Sequence, residues 1–385
     1  MQTEKFNKVF DFQRKSKIKA SEGLDEGEFP FYTSSPNLSK YLKDFQINDH
    51  CLVFGTGGNP SIHFTEKPFS VSTDCLVAKV NEHFYELIDP KYVYYYFKSN
   101  AELLENGFRG IGLKHISKGY IGDLDIPIID INEQKRLVKK LDQANYLFNK
   151  RKESIELLDE YLRTIFLDMF GDPVSNPKEW PIKTIEELVQ NVKYSIKRGP
   201  FGSSLKKDMF VDNGYLVYEQ YHALNRDFSF ERYYINDKKF EELKAFAVKA
   251  GDIIISCSGV YLGKLAEIPQ NYKKGIINQA LLKLSINQEI MRNRVFMDIF
   301  TSQSFKAKYL DNKIGSGIPN FPPISVFKTF KFICPDLQVQ KDYEGKVEKV
   351  ENFKKKMEEE LDEFEKLIEI LNNKYLTINR DGSRS

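Results

Sequence analysis

The sequence predicts an α+β chain in which two mixed α/β domains are separated by two long helices that form an antiparallel coiled coil. Three observations predict it. Two stretches carry a heptad-spaced apolar seam, each seam is approached through the same succession of features at a fixed offset, and the remaining segments alternate short apolar runs with glycine-rich turns.

The first domain occupies 1–130. Strand-like runs at 51–54 and 74–80 are separated by FGTGGNP, and a helical pattern covers 90–104. The first long helix follows over 131–170. Its apolar seam is Leu137, Leu141, Ala144, Phe148, Ile155, Leu158, Leu162, Ile165 and Met169, with Arg151 filling the one skipped position. GDPVSNPKEWP at 171–181 holds three prolines and stops this helix after Phe170. The second domain, 182–338, repeats the scheme: strand-like runs at 252–256 and 280–285 around SCSGVYLG, then a helical pattern at 293–310. The second long helix, 339–377, carries Val347, Val350, Met357, Leu361, Phe364, Ile368, Leu371 and Tyr375, interrupted by Lys354. About 32 residues of seam at 1.5 Å each make a helix about 48 Å long; nothing in the first domain offers such a helix a long partner, and the simplest pairing is of the two helices with each other. Ile116-Ser117 precedes Pro127 as Ile324-Ser325 precedes Pro335, an offset of 208, and Gln134-Lys135 matches Gln340-Lys341 with two residues lost. Gly382-Ser383-Arg384-Ser385 at 382–385 is read as a vector scar and set aside.

Composition narrows the function. The 385 residues, 41% hydrophobic and 29% charged, suffice for two or three packed domains. No run of about 18 apolar residues exists, so no membrane partner is expected. The N-terminus lacks the apolar core of a secretory signal, and the four cysteines form no CxxC pair. A reducing cytoplasm is the expected location, without a disulfide framework or a structural zinc. The net charge of +2 is uneven: residues 180–338 hold 23 basic and 16 acidic groups, whereas 1–130 hold 15 and 18.

Catalytic motifs are absent on inspection. FGTGG at 54–58 resembles a methyltransferase glycine loop, but Asn59-Pro60-Ser61-Ile62 lacks the second proline and aromatic of the catalytic tetrapeptide, so a turn between strands is expected. Pro335-Asp336 with Glu344-Gly345-Lys346 imitates a metal-dependent nuclease signature, but these acids fall on the exposed first turns of a helix and the first copy lacks them. His115 has no paired serine, cysteine or acid nearby in sequence, so no nucleophilic role is assigned to it.

Nucleic-acid chemistry is better represented. GPFGSSLKK at 199–207 places Ser203, Ser204, Lys206 and Lys207 after Lys197 and Arg198, and backbone amides, hydroxyls and ammonium groups are what a phosphodiester accepts. The first domain offers Arg14, Lys15, Lys17 and Lys19 as a smaller counterpart. Further candidate DNA contacts are Ser34, Ser35, Asn59, Arg109, Lys114 and His115 in the first domain. In the second they are Tyr218, Gln220, Tyr261, Lys264, Asn278, Gln279 and Asn320.

The order of these segments resembles the specificity subunit of type I restriction–modification enzymes. The resemblance rests on KIKASEGLDEGEFPFYTSS at 17–35, IPIIDINEQKRLVKKLDQ at 126–143, FGDPVSNPKEWP at 170–181, GPFGSSLKK with FVDNGYLVYEQ, and AGDIIISCSG at 250–259. It covers essentially the whole chain. CPDLQVQKDYEGK departs, with Val-Gln where the first copy has Glu-Gln. The resemblance implies two target recognition domains, each reading one half of a bipartite site in double-stranded DNA, and a helical pair that holds them apart. It implies modification subunits docked on the helices, which methylate adenine using S-adenosylmethionine, and a restriction subunit that uses ATP and Mg2+. It implies no catalytic residue, metal or cofactor on this chain. As a ruler, a helix of about 48 Å would correspond to at most about 14 base pairs, with Arg151 and Lys354 specifying register. A specificity subunit of a fused restriction–modification enzyme, a stand-alone nuclease or methyltransferase, and a protein-only adaptor are the competing readings.

Overall fold

The computed structural model describes residues 2–201, 204–310 and 320–376. The chain divides into two compact units, 1–155 with 356–385, and 156–355. Each contains one globular domain and half of each long helix.

The two domains share one strand plan. In the first, a four-stranded antiparallel sheet runs Phe10–Phe12, Cys75–Val80, Cys51–Gly55, Ser61–Thr65. In the second, the order is Ile196–Arg198, Leu281–Leu284, Ile253–Ser256, Leu265–Glu267. A three-stranded sheet accompanies each: Tyr41–Leu42, Phe29–Tyr32, Ser70–Val71 in one and Tyr234–Ile235, Tyr215–Tyr218, Gly275–Ile277 in the other, the last pair parallel in both. A third pairing closes each domain at its base, Gln2–Lys5 with Asp125–Ile128 and Ile182–Thr184 with Lys331–Ile333.

The central strands read as unbroken apolar runs because both their faces are covered. Leu52 and Phe54 enter the core shared with the helix Pro90–Ser99, while Cys51 and Val53 enter the core beneath the three-stranded sheet. Ile253 and Ile255 divide from Ile254 in the same way in the second domain. The helical stretch near 90–104 is two helices, broken at Asn100, whose side-chain amide donates to the carbonyls of Tyr96 and Leu376. That near 293–310 breaks at Ser302, which caps Gln303–Tyr309.

The long helices span Ile131–Phe170 and Leu337–Tyr375, 40 and 39 residues rather than about 32. In the first unit Leu137 and Leu141 share a core with Leu371 and Leu376, and Arg151 pairs with Glu360. In the second unit Asp159 meets Lys354 at 2.6 Å, and the rings of Phe166 and Phe170 meet that of Tyr343. Within each unit, rising numbers on one helix meet falling numbers on the other, so the halves run antiparallel. Every seam position with a described side chain is buried or half-buried: Phe148, Ile155, Leu158, Leu162, Val350, Leu361, Phe364, Ile368 and Leu371 half-buried, Ile165, Val347 and Met357 buried; the Tyr375 side chain lies outside the described residues. Arg151 and Lys354, the two seam interruptions, each reach an acid on the opposite helix. After Phe170 the indole of Trp180 donates to the Phe170 carbonyl at 3.1 Å, closing a helix end that would otherwise leave this acceptor free.

Both helices begin in the same buried hydrogen-bond arrangement. Gln134 accepts from the Asp89 amide and donates to the carbonyls of Leu87 and Ile129. Gln340 accepts from the Arg292 amide and donates to Ile290 and Pro335. Both glutamines are fully buried, at 0% exposure. This corrects the sequence alignment. Gln134 with Gln340 and Ile129 with Pro335 stand 206 residues apart, as do Leu124 and Phe330, whose carbonyls accept the Phe6 and Ile185 amides. Pro127 lies in a strand opposite Thr3 and is not the counterpart of Pro335. Asp130 and Asp336 are likewise counterparts, each accepting through its carbonyl from the helix-start glutamine, so the acid before the second helix has an equivalent in the first copy. Glu344 is not on an exposed face. It is half-buried and paired with Arg292 at 2.6 Å.

Among the described residues no helix is long and apolar enough to cross a membrane, and no three His, Cys, Asp or Glu side chains are grouped to hold a metal ion.

Candidate nucleic-acid interface

In the first domain five chain segments that are distant in sequence meet at one end of the sheets. The basic run leaves the edge strand Phe10–Phe12, and the Ile18 carbonyl accepts from Thr73 at 2.8 Å. Beside it, the Asp74 carbonyl accepts from the hydroxyls of Ser34 and Thr56 at 2.7 and 2.9 Å. The Ser34 hydroxyl in turn accepts from the Gly57 amide at 3.3 Å. The turn at 56–60 is held to the 109–115 segment: Gly58 donates to the Lys114 carbonyl at 3.2 Å, and Nδ1 of His115 lies 3.2 Å from the Thr56 carbonyl. The structure therefore brings together Arg14, Lys15, Lys17, Lys19, Ser34, Ser35, Asn59, Arg109, Lys114 and His115. All four basic residues of the run, and Asn59, Arg109, Lys114 and His115, are exposed, while Ser34 and Ser35 are half-buried. The Ser35 carbonyl is engaged by Nε2 of His63 at 2.9 Å, and burial holds that imidazole below its ordinary pKa.

FGTGG forms a strand end and a hairpin turn, as the sequence suggests. Gly55 pairs with Ser61, and no helix follows. A Cβ at Gly55 would stand 2.1 Å from the Ser61 hydroxyl, so glycine is required there by the closeness of the strands, without any cofactor.

The second domain builds the same end. Gly199 donates to the Leu281 carbonyl as Gln13 does to that of Val77, which makes the stretch after Arg198 the structural counterpart of the Arg14 run. Asn278 donates to the Tyr218 carbonyl as Ser72 does to that of Tyr32. Gln220 thus stands where Ser34 stands, and its amide donates to the Ser256 hydroxyl and the Ser258 carbonyl at 2.8 and 3.0 Å. Ser258 bridges to Asn320 as Gly57 bridges to His115. Lys206, Lys207, Tyr261, Lys264, Gln279 and Asn320 are exposed, and Lys197, Arg198, Ser204, Gln220 and Asn278 half-buried. Ser203 lies outside the described residues. The Arg198 guanidinium stands 5.2 Å over the Phe201 ring, and Lys197 stands between the Tyr194 and Phe246 rings at 5.2 and 4.8 Å.

Tyr218 is a correction. It is 1% exposed, its hydroxyl donates to the Lys273 carbonyl at 2.6 Å, and burial raises its pKa, so it belongs to the core like its counterpart Tyr32. A tyrosine between two polar residues signals a loop contact as readily as a strand end, and only the parallel pairing with Gly275–Ile277 decides it. All four cysteines are free and buried; burial pushes the Cys257 thiol up to about 12 and that of Cys75 up to about 11, so neither is a ready nucleophile.

Each domain thus presents a polar, cation-bearing end supported by sheet, where hydroxyl, amide and guanidinium groups converge. Sequence reading missed Thr56, which shares the Asp74 carbonyl with Ser34, and Ser256 and Ser258, which accept from Gln220.

The architecture defines a duplicated protein with two polar, cation-bearing domain ends and a paired helical core in each unit. Residues 1–157 match the family model described as type I restriction modification DNA specificity domain. The chain is 22% identical over 375 residues to the type I restriction enzyme MjaVIII specificity subunit of Methanocaldococcus jannaschii, covering 89% of this chain and 84% of that protein. It is 21% identical over 148 residues to the EcoDI specificity subunit of Escherichia coli, covering 38% and 32%. The solved S subunit of a type I restriction–modification system from M. genitalium has the same fold, with a TM-score of 0.63 at 15% identity over 96% of this chain and 94% of that one. A chain from a structure describing complex assembly and conformational transition of the type I R-M system gives a TM-score of 0.57 at 14% identity, covering 97% and 96%. Residues 1–157 thus match a type I specificity domain, and the chain over most of its length is similar to type I specificity subunits.

Proposed function

We propose that this chain is the DNA sequence-recognition component of a type I restriction–modification complex, and that it catalyses no step itself. The observation that carries the reading is the duplicated domain end. The same five segments converge twice, each time bearing cations and hydrogen-bonding side chains on rigid strand ends. One end reads one half of a bipartite DNA site, with 1–130 and 182–338 as the two recognition domains. In this reading the lysines and arginines hold phosphates, and the exposed amides of Asn59, Gln279 and Asn320 read base edges. The paired helices set the half-site spacing and dock the modification subunits. Large apolar side chains left exposed along them support a protein partner: Tyr146 and Ile370 in the first unit, Leu157, Tyr161 and Phe353 in the second. S-adenosylmethionine, ATP and Mg2+ belong to the partner subunits in this reading.

The test is salt-dependent binding of duplex DNA by the chain assembled with its modification subunits. Lys206→Ala with Lys207→Ala should weaken binding to all sequences alike, and lower the slope of log affinity on log salt by up to about 1.8, roughly 0.9 for each lost phosphate contact. An unchanged slope would remove this loop from the interface.

A further inference from the structure

Resting on that reading, we propose that Ile111 and Leu113 form an apolar wedge that the first recognition domain inserts among the bases of its half-site. The 109–115 segment is a tight hairpin. Arg109 and His115 exchange both backbone hydrogen bonds at 2.9 Å, and Gly110 and Gly112 turn the chain between them with φ of 138° and 86°. This geometry leaves Ile111 fully exposed at 107% and Leu113 at 77%, the two most protruding of the first unit's large exposed apolar side chains. Single exposed aliphatics are ordinary, but two on one hairpin tip, anchored to the turn at 56–58, are held out at a cost in hydration with no described residue of their own unit covering them.

The flanking charges choose the occupant. Residues 106–122 contain Arg109, Lys114 and Lys118 and no acid, so the tip lies within a wholly basic stretch. The tip is also continuous with the Ser34, Asn59 and Arg14–Lys19 surface through the Gly58–Lys114 and His115–Thr56 contacts. Paired cations beside protruding aliphatics suit a nucleic-acid groove, where the cations meet phosphates while the apolar tip unstacks a base step. A protein partner would be expected to answer an apolar tip with an apolar socket, and gains nothing from the uncompensated positive charge.

The experiment uses the chain assembled with its modification subunits and a duplex carrying the first domain's half-site, as defined by methylation mapping, with 2-aminopurine replacing each adenine in turn. The intact complex should raise 2-aminopurine fluorescence at one step. Ile111→Ser with Leu113→Ser should abolish that rise and weaken binding at least about tenfold, as losing the burial of one such side chain implies. The salt slope should stay unchanged, because no cation is removed. Ile111→Met with Leu113→Met should retain both signals. Binding of the serine variant at the parent's affinity, or a parent that unstacks no step, would overturn the wedge while leaving DNA recognition standing. Loss of subunit assembly without DNA in the serine variant would assign the tip to a protein partner instead. A parent complex that binds no duplex overturns the functional reading and the wedge with it.

Discussion

Replacing Gln134 with leucine should cost the first unit about 3 kcal/mol of stability, far more than the size of the change suggests. The side chain is fully buried and has three partners: the Asp89 amide and the carbonyls of Leu87 and Ile129. Leucine fills a similar volume but leaves those three backbone groups without partners in a place water does not reach, and each such group costs roughly 1–3 kcal/mol less whatever relaxation recovers. Gln340→Leu should do the same to the second unit through Arg292, Ile290 and Pro335. Urea unfolding with hydrogen exchange separates the two cases: Gln134→Leu should deprotect amides of the first unit and Gln340→Leu those of the second. The exposed neighbour Lys135 is the control, and its replacement by leucine should stay within about 0.5 kcal/mol. A Gln134→Leu effect no larger than that would show that this arrangement does not secure the helix start.

Inserting four residues into each long helix, after 155 in the first and after 355 in the second, should abolish methylation at the original half-site spacing. A target one or two base pairs longer should appear in its place. Four residues add about 6 Å of helix, and one base step is about 3.4 Å. Both helices must change together. The Arg151–Glu360 pair lies on one side of the insertion points and the Asp159–Lys354 pair on the other, so lengthening one helix alone would pull one pair out of register. These exposed pairs contribute little stability individually, but each fixes the stagger of one helix half against the other. An unchanged spacer would end the ruler interpretation.

The parts of this structure legible in the sequence are those governed by local periodicity. The heptad seams marked both helices, and their two interruptions, Arg151 and Lys354, marked the cross-helix ion pairs. The proline-rich junction marked the end of the first helix, although nothing in the sequence announced that Trp180 would cap it. What periodicity could not supply was pairing between distant segments. The parallel contact of Phe31 and Tyr32 with Ser70 and Val71 joins strands nearly forty residues apart, and without its counterpart in the second domain Tyr218 reads as a surface residue. Anchoring the repeat on prolines displaced it by two residues, because Pro127 sits within a strand while Pro335 lies in the connection before the second long helix. Side-chain chemistry alone marks the candidate DNA contacts in the sequence, and their convergence on one end of each domain depends on strand pairings that no single motif records.

The most direct test of the account is the methylation pattern of a hybrid. Residues 182–338 would be replaced by the corresponding domain of a related specificity subunit, the hybrid expressed with its modification subunits, and host DNA sequenced for N6-methyladenine. The account predicts a bipartite motif in which one half changes while the other half and the spacing between them are kept. A change in both halves, or an unaltered motif from the exchanged domain, would contradict the claim that each domain reads its own half of the site.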